Sequence, residues 1–119
     1  MVVKFLLDTN VWISYLKKPS SNIQARLSTI APSDVATCSI VLSELLHGAE
    51  KYGNRNQRVA TVRAMLSPFK CVPFDDVDAA QYAAIRQNLE LGGKIIGPYD
   101  LQIAAICMRH GFILVTSEF

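Results

Sequence analysis

Hydrophobic positions along this chain alternate between short continuous apolar runs and longer stretches with helical spacing. Val2 to Leu7 is a run of β-branched and large apolar residues, which predicts a buried strand. Asp8 to Lys18 then reads as a helix, capped by Asp8, Thr9 or Asn10 and stopped by Pro19-Ser20. Asn22 to Ile30 predicts a second, short helix, ended by Ala31-Pro32. Val35 to Ser39 predicts the next strand, with Ser39 placed to cap a helix that carries Glu44 as far as about Tyr52. After a break at Gly53-Asn54, Arg55 to Leu66 is helical and stops at Pro68. Lys70 to Phe74 predicts a third strand, and Asp75 or Asp76 caps a long helix running to Leu91 and closed by Gly92-Gly93. Pro98 suits the first turn of a last helix that ends at Gly111, and Phe112 to Thr116 predicts a fourth strand. Strands alternating with helices, with no linker, repeat or low-complexity tract, predict one α/β domain over 1–119 around a mainly parallel sheet.

Composition narrows the class. A chain of 119 residues, half of them hydrophobic and 18% charged, can bury a real core and is not a disordered segment. The net charge of +2 permits a local basic patch without requiring one. Cys38, Cys71 and Cys107 are odd in number and lack a C-x-x-C pair, which argues against a disulfide framework or zinc site and for a reducing cytoplasm. The apolar stretch before Asp8 is too short for a signal-peptide core, and no apolar run approaches the ~20 residues that span a bilayer. The expectation is a soluble cytoplasmic protein with no membrane partner.

Three carboxylates then stand out, each set among apolar neighbours: Asp8 after Phe5-Leu6-Leu7, Glu44 within Ile40-Val41-Leu42-Ser43-Glu44-Leu45-Leu46, and Asp100 within Pro98-Tyr99-Asp100-Leu101-Gln102-Ile103. Burying an ionised carboxylate alone is costly, so such groups are paired, hydrogen-bonded or metal-bound. Clustered oxygen ligands suit Mg²⁺ or Mn²⁺. In an open parallel sheet the ligand crevice lies beyond the carboxyl ends of the strands, where Asp8 and Glu44 can converge and Asp100 can arrive from the start of the last helix. Each acid also has a plainer role. Asp8 can be a simple helix cap. Glu44 lies nearly opposite the arc of Leu42, Leu45, Leu46 and Ala49, as a solvated glutamate would. Asp100 falls on the arc of Ala104 and Cys107, away from Gln102 and Arg109, which predicts an inward-facing acid rather than a surface charge; its plainer role is an N-cap or first-turn acid.

Leu7-Asp8-Thr9-Asn10, Ser43-Glu44-Leu45-Leu46-His47-Gly48-Ala49-Glu50-Lys51 and Gly97-Pro98-Tyr99-Asp100-Leu101-Gln102-Ile103-Ala104-Ala105 resemble, in order and spacing, the successive motifs of PIN-domain ribonucleases. Within that family the chain most resembles the VapC-type toxins of bacterial toxin–antitoxin pairs, from about Lys4 to Thr116. The resemblance implies a three-layer PIN-like fold with the principal acids at Asp8, Glu44 and Asp100. It implies a Mg²⁺- or Mn²⁺-dependent endoribonuclease with an RNA substrate (tRNA being the favoured target), a VapB-like antitoxin as partner, and a homodimer. Relatives usually continue through a valine-threonine-asparagine step to a fourth acidic or amide position and a fifth strand. Here Val115-Thr116-Ser117-Glu118-Phe119 puts Glu118 in that fourth position by direct register. Alternatively, Glu118-Phe119 matches a glutamate-phenylalanine pair slightly further on. Either way the expectation is a four-stranded sheet without the usual fifth strand.

In the chemistry these residues support, a cation held by Asp8 and Asp100, with Glu44 bound directly or through water, would orient and acidify an attacking water. Glu44 would complete the site or help to deprotonate that water. The expected product carries a 5′-phosphate. Lys51, Arg55, Arg58 and Arg63 form the densest basic stretch, either a phosphate grip or a solvated helix face. Asp75, Asp76 and Asp78 read as a cap and first-turn acids, and Trp12, Tyr15 and Leu16 as a helix stripe more often core than RNA platform, a kind of stripe that also serves dimer interfaces. His47 and His110 lack partners at ligand spacing. A haloacid-dehalogenase-type phosphatase would need an aspartate where Asn10 stands, and a receiver domain would need paired early acids and a late lysine. The remaining rival is a PIN-like module that binds an antitoxin without cutting RNA.

Overall fold

The computed structural model describes residues 4–17 and 22–116. In chain order the elements are β1 (Phe5–Leu7), α1 (Thr9–Lys17), α2 (Asn22–Ser28), a 3₁₀ turn (Pro32–Asp34), β2 (Val35–Cys38), α3 (Ser39–Glu50), α4 (Arg55–Leu66), β3 (Lys70–Val72), α5 (Asp76–Leu91), α6 (Pro98–His110) and β4 (Ile113–Val115). The four strands form one wholly parallel sheet in the order β3-β2-β1-β4, flanked by the six helices. The α/β fold expected from the alternating pattern is therefore the one adopted. No helix among the described residues is long and apolar enough to cross a membrane.

Strand order explains where a site can form. From β1 the chain steps outward to β2 and β3, then crosses back to lay β4 on the other side of β1, with Phe5 opposite Ile113 and Leu7 opposite Val115. β1 is thus the point where the winding reverses, and ligand crevices in open α/β sheets lie beyond the carboxyl ends of strands at such a point. Asp8 is the first residue past that end, and its backbone N–H still donates to the Val115 carbonyl at 3.1 Å. The inner strands earn their apolar composition: Leu6, Leu7 and all four residues of β2 are buried, as expected when both faces are covered. Around them Val11, Trp12, Val41, Leu45, Ile103 and Ile106 complete the core. The Trp12 ring lies 5.3 Å from that of Phe69, so its half of the helix stripe is core, as its sequence setting suggested.

Several boundaries and caps differ from the sequence expectation for local reasons. The strand beginning at Lys70 stops at Val72 rather than Phe74, because the Phe74 N–H turns to Ser39 Oγ at 3.0 Å. Ser39 therefore ties the strand exit to α3 instead of capping that helix, whose N-cap residue is Cys38 with no side-chain bond. The helix expected to reach Tyr52 closes at Glu50, and the one expected to reach Ile30 closes at Ser28. At α5 the cap behaves as read, with a reciprocal box: Asp75 Oδ1 accepts from the N–H groups of Val77 and Asp78, and Asp78 Oδ2 accepts from the Asp75 N–H. Arg109 of α6 pairs with both carboxylates and so pins the end of α6 to the start of α5. Gly111, at φ 70°, then supplies the left-handed residue that turns α6 into β4.

Candidate active site

Asp8, Glu44 and Asp100 line one open cleft of about 1040 Å³. Each gets there by a different local device. Asp8 follows β1 directly and is the N-cap of α1, its Oδ1 accepting from the Val11 N–H at 3.1 Å. The cap reading therefore holds, and the capping residue also lines the cleft. Glu44 lies five residues into α3, half-buried, and its Oε1 accepts a 2.8 Å hydrogen bond from Thr9 Oγ1. That bond joins the α1 start to the middle of α3 and fixes one carboxylate oxygen. Asp100 is in the first turn of α6, whose antiparallel return towards β4 brings its start to the carboxyl edge of the sheet.

The helical wheel misplaced Asp100 in one respect. It is exposed rather than turned inward, because nothing packs over the first turn of α6 where Lys94 to Asp100 are all exposed. Deeper along the helix the expected inward face holds, with Leu101, Ile103, Ile106 and Cys107 buried. Asp100 is still close enough to act on Asp8. Burial first, and then the negative charge of Asp100, push the Asp8 pKa above its ordinary 3.8, while hydrogen bonds from the Val11 and Asn10 backbones pull the other way. The fold thus holds Asp8 where its ionised form is disfavoured, which is the electrostatic setting a bound cation relieves. Burial raises all three thiols, Cys38, Cys71 and Cys107, the last to about 12, which disfavours a thiolate nucleophile.

Whether these acids fit a divalent cation can be judged from the donors. A set made only of carboxylates, one hydrogen-bonded by a neighbouring hydroxyl, is the chemistry hard cations prefer. Among the described residues, however, no three Asp, Glu, His or Cys side chains are grouped as a ready-made metal cage. The donors fit in kind and share a cleft; they are not drawn together into a finished site. Glu118 lies outside the described residues.

The basic stretch divides once its side chains are placed. Lys51 and Arg58 line the cleft with the acids. Arg55 is paired with Glu50 at 2.6 Å, and Arg63 is exposed away from the cleft. His47 also lines the cleft. Residues that the sequence reading passed over include Tyr52, Gln57 and Tyr99 on the cleft wall, and Thr9 as the partner of Glu44. For Thr9 and Tyr99 a signal existed: each is the immediate neighbour of a singled-out acid.

The chain is similar in sequence and fold to known proteins. A family model described as PIN domain matches residues 5–118. The tRNA(fMet)-specific endonuclease VapC of Salmonella typhimurium is 33% identical over 117 residues, covering 98% of this chain and 88% of that protein. Ribonuclease VapC2 of Haemophilus influenzae is 32% identical over 117 residues with the same coverage of each. Among solved structures, the DNA-bound VapBC from Salmonella typhimurium matches with a TM-score of 0.89 at 33% identity, over 97% of this chain and 86% of that one.

Proposed function

This chain belongs to the PIN-domain family, within its VapC group, and from that premise we propose that it is a metal-dependent endoribonuclease acting as the toxin of a toxin–antitoxin pair. The observation that carries the reading is the convergence of Asp8, Glu44 and Asp100, from three distant segments, on one cleft at the reversal point of the sheet. Asp8 and Asp100 would hold a Mg²⁺ or Mn²⁺ ion, with Glu44 completing the set. Such an ion, when bound, supplies charge neutralisation at the attacked phosphate and acidifies the hydrolytic water. The chain's own contribution is positional. The α1 cap fixes Asp8, Thr9 Oγ1 holds Glu44 Oε1, and the other Glu44 oxygen is then set to accept a proton from attacking water. Hydrolysis breaks the bond from phosphorus to the 3′ oxygen and leaves a 5′-phosphate on the downstream product. Glu118 is proposed as a fourth, weaker acid of the site.

The substrate proposed is RNA, with tRNA favoured because the Salmonella relative is a tRNA(fMet)-specific endonuclease by name. The partner proposed is a VapB-like antitoxin, by analogy with the VapBC complex, and the free toxin is proposed to be a homodimer in the cytoplasm. A rival reading, a PIN-like module that binds its partner without cutting, draws support from the acids not being grouped as a ready-made cage among the described residues. Purified, antitoxin-free protein incubated with total RNA separates the two. Cleavage that appears with Mg²⁺ or Mn²⁺ and stops on chelation is the expected result; intact RNA at micromolar protein with either ion would favour the rival.

A further inference from the structure

Beyond the acids, the cleft has a second wall built by the turn between α3 and α4, and that wall is equipped for nucleic acid. Lys51 follows Glu44 by seven residues, two helical turns or about 10 Å along the axis, so the α3 exit lies within reach of a short stretch of strand held at the acids. The turn itself is set by Asn54 in the left-handed region, at φ 62°, the one non-glycine residue with positive φ among those described. It brings Arg58 back over Tyr52, with the guanidinium carbon 5.4 Å from the ring centroid. Arg58 Nε donates to the Gly53 carbonyl at 2.9 Å, which orients the planar fork.

What this arginine lacks is informative. Arg55, Arg86 and Arg109 each pair with a carboxylate, whereas among the described residues Arg26, Arg58 and Arg63 do not; of these three, Arg58 alone lines the cleft that holds the acids. Its side chain is pre-oriented and its charge is uncommitted. Tyr52 beside it is 61% exposed and lines the cleft, so its ring is within reach of a strand lying there. On the opposite side of the sequence, Tyr99 is 58% exposed next to Asp100 and also lines the cleft. Exposed aromatic rings alternating with a fixed cation are how proteins bind unpaired nucleotides: bases stack on the rings and phosphates pair with the charge.

We propose that Tyr52 and Arg58 form a nucleotide subsite of the cleft, in which Arg58 pairs with a backbone phosphate of an unpaired RNA strand and Tyr52 stacks on an adjoining base, positioning the neighbouring phosphodiester at Asp8, Glu44 and Asp100. The proposal rests on the ribonuclease reading and deepens it by naming the residues that hold the strand beside the acids. Tyr52 and Arg58 are positioning residues in this scheme.

Fluorescence anisotropy with a short labelled single-stranded oligoribonucleotide, in chelator so that nothing is cut, tests the subsite directly. Tyr52→Ala should weaken binding about tenfold with an unchanged salt slope, while Tyr52→Phe, which keeps the ring, stays within about twofold of the unaltered chain. Arg58→Ala should reduce the slope of log K against log salt by about 0.7, the signature of one lost phosphate contact on a single strand. Arg63→Ala removes the same charge from outside the cleft and should change neither quantity. All these side chains are exposed, and melting curves are to check that each variant folds. Equal losses for Arg58→Ala and Arg63→Ala would overturn the subsite, as would wild-type binding by Tyr52→Ala or no RNA binding by the unaltered chain. Loss of a protein partner with RNA binding intact would assign the pair to a protein interface instead. A parallel cleavage assay with Mg²⁺ keeps the two ideas apart. If the unaltered chain binds with these signatures but never cuts, the ribonuclease reading fails and the subsite stands. If it cuts and the variants keep its KM, the subsite fails alone.

Discussion

Replacing Asp8 with asparagine separates what this residue does for the fold from what it does for chemistry. As the N-cap of α1, Asp8 accepts from the Val11 N–H, and asparagine caps a helix about as well as aspartate. Alanine does not, and loses about 1 kcal/mol, which at this chain length is about 4 °C in melting temperature. The charge acts in the opposite sense. Burial and Asp100 raise the folded-state pKa of Asp8 above 3.8, so the native state is penalised when Asp8 ionises. The protonated form carries the stability, which is fully present below 3.8 and is lost as pH rises through the raised folded value. In chelator at neutral pH, Asp8→Asn should therefore melt above the unaltered chain and about 4 °C above Asp8→Ala. Its lead over the unaltered chain should close as pH falls towards 3.8. Mg²⁺ at a hundred times its dissociation constant adds about 2.7 kcal/mol to a protein that binds it, about 10 °C here, and should reverse the order of the unaltered chain and Asp8→Asn. Thermal melts across pH, with and without the ion, read all of this. An Asp8→Asn variant that melts below the unaltered chain in chelator at pH 7, or a gap that ignores pH, would refute the reasoning.

Other consequences can be measured alongside. Thr9→Val deletes the hydroxyl that holds Glu44 Oε1, and should lower kcat about tenfold with KM little changed and a melting shift of only a few degrees, as steady-state cleavage and melting will register. Asp78→Ala removes one of the two carboxylates that pair with Arg109 and breaks the α5 capping box, and should cost about 1 to 2 kcal/mol in a urea titration. Separately, the Arg109 guanidinium holds the Asp75 carboxyl down at about 2, so the stability from the Arg109–Asp75 pair is present above 3.8 and lost as pH falls through 2. Acid titration of Arg109→Ala should show that step missing.

Much of this was legible before any coordinates because the signals were local. Pro98 at the start of α6, Gly111 at its end and the apolar run before Asp8 each specify a boundary from a residue's own backbone or packing preference. The shared cleft of Asp8, Glu44 and Asp100 was legible because a parallel sheet sends strand exits to one edge. What escaped depends on contacts between distant segments. Ser39 looked like a cap, but it serves Phe74, 35 residues away. Arg55 and Arg58 look equivalent in sequence, yet one is paired with Glu50 and the other lies over Tyr52. The exposure of Asp100 was invisible to a helical wheel, which registers the face of a helix and not whether anything packs over its first turn.

The central claim is that the carboxylates on this cleft cut RNA with the help of a divalent cation, and cleavage by Asp8→Asn tests it most directly. The unaltered chain and Asp8→Asn, both shown folded by their melting curves, are compared on the same RNA in the same Mg²⁺ buffer, with product ends mapped. The account predicts 5′-phosphate products from the unaltered chain and a rate at least about a hundredfold lower from the variant. Equal rates from the two proteins, or cleavage by the unaltered chain that persists in chelator, would contradict it.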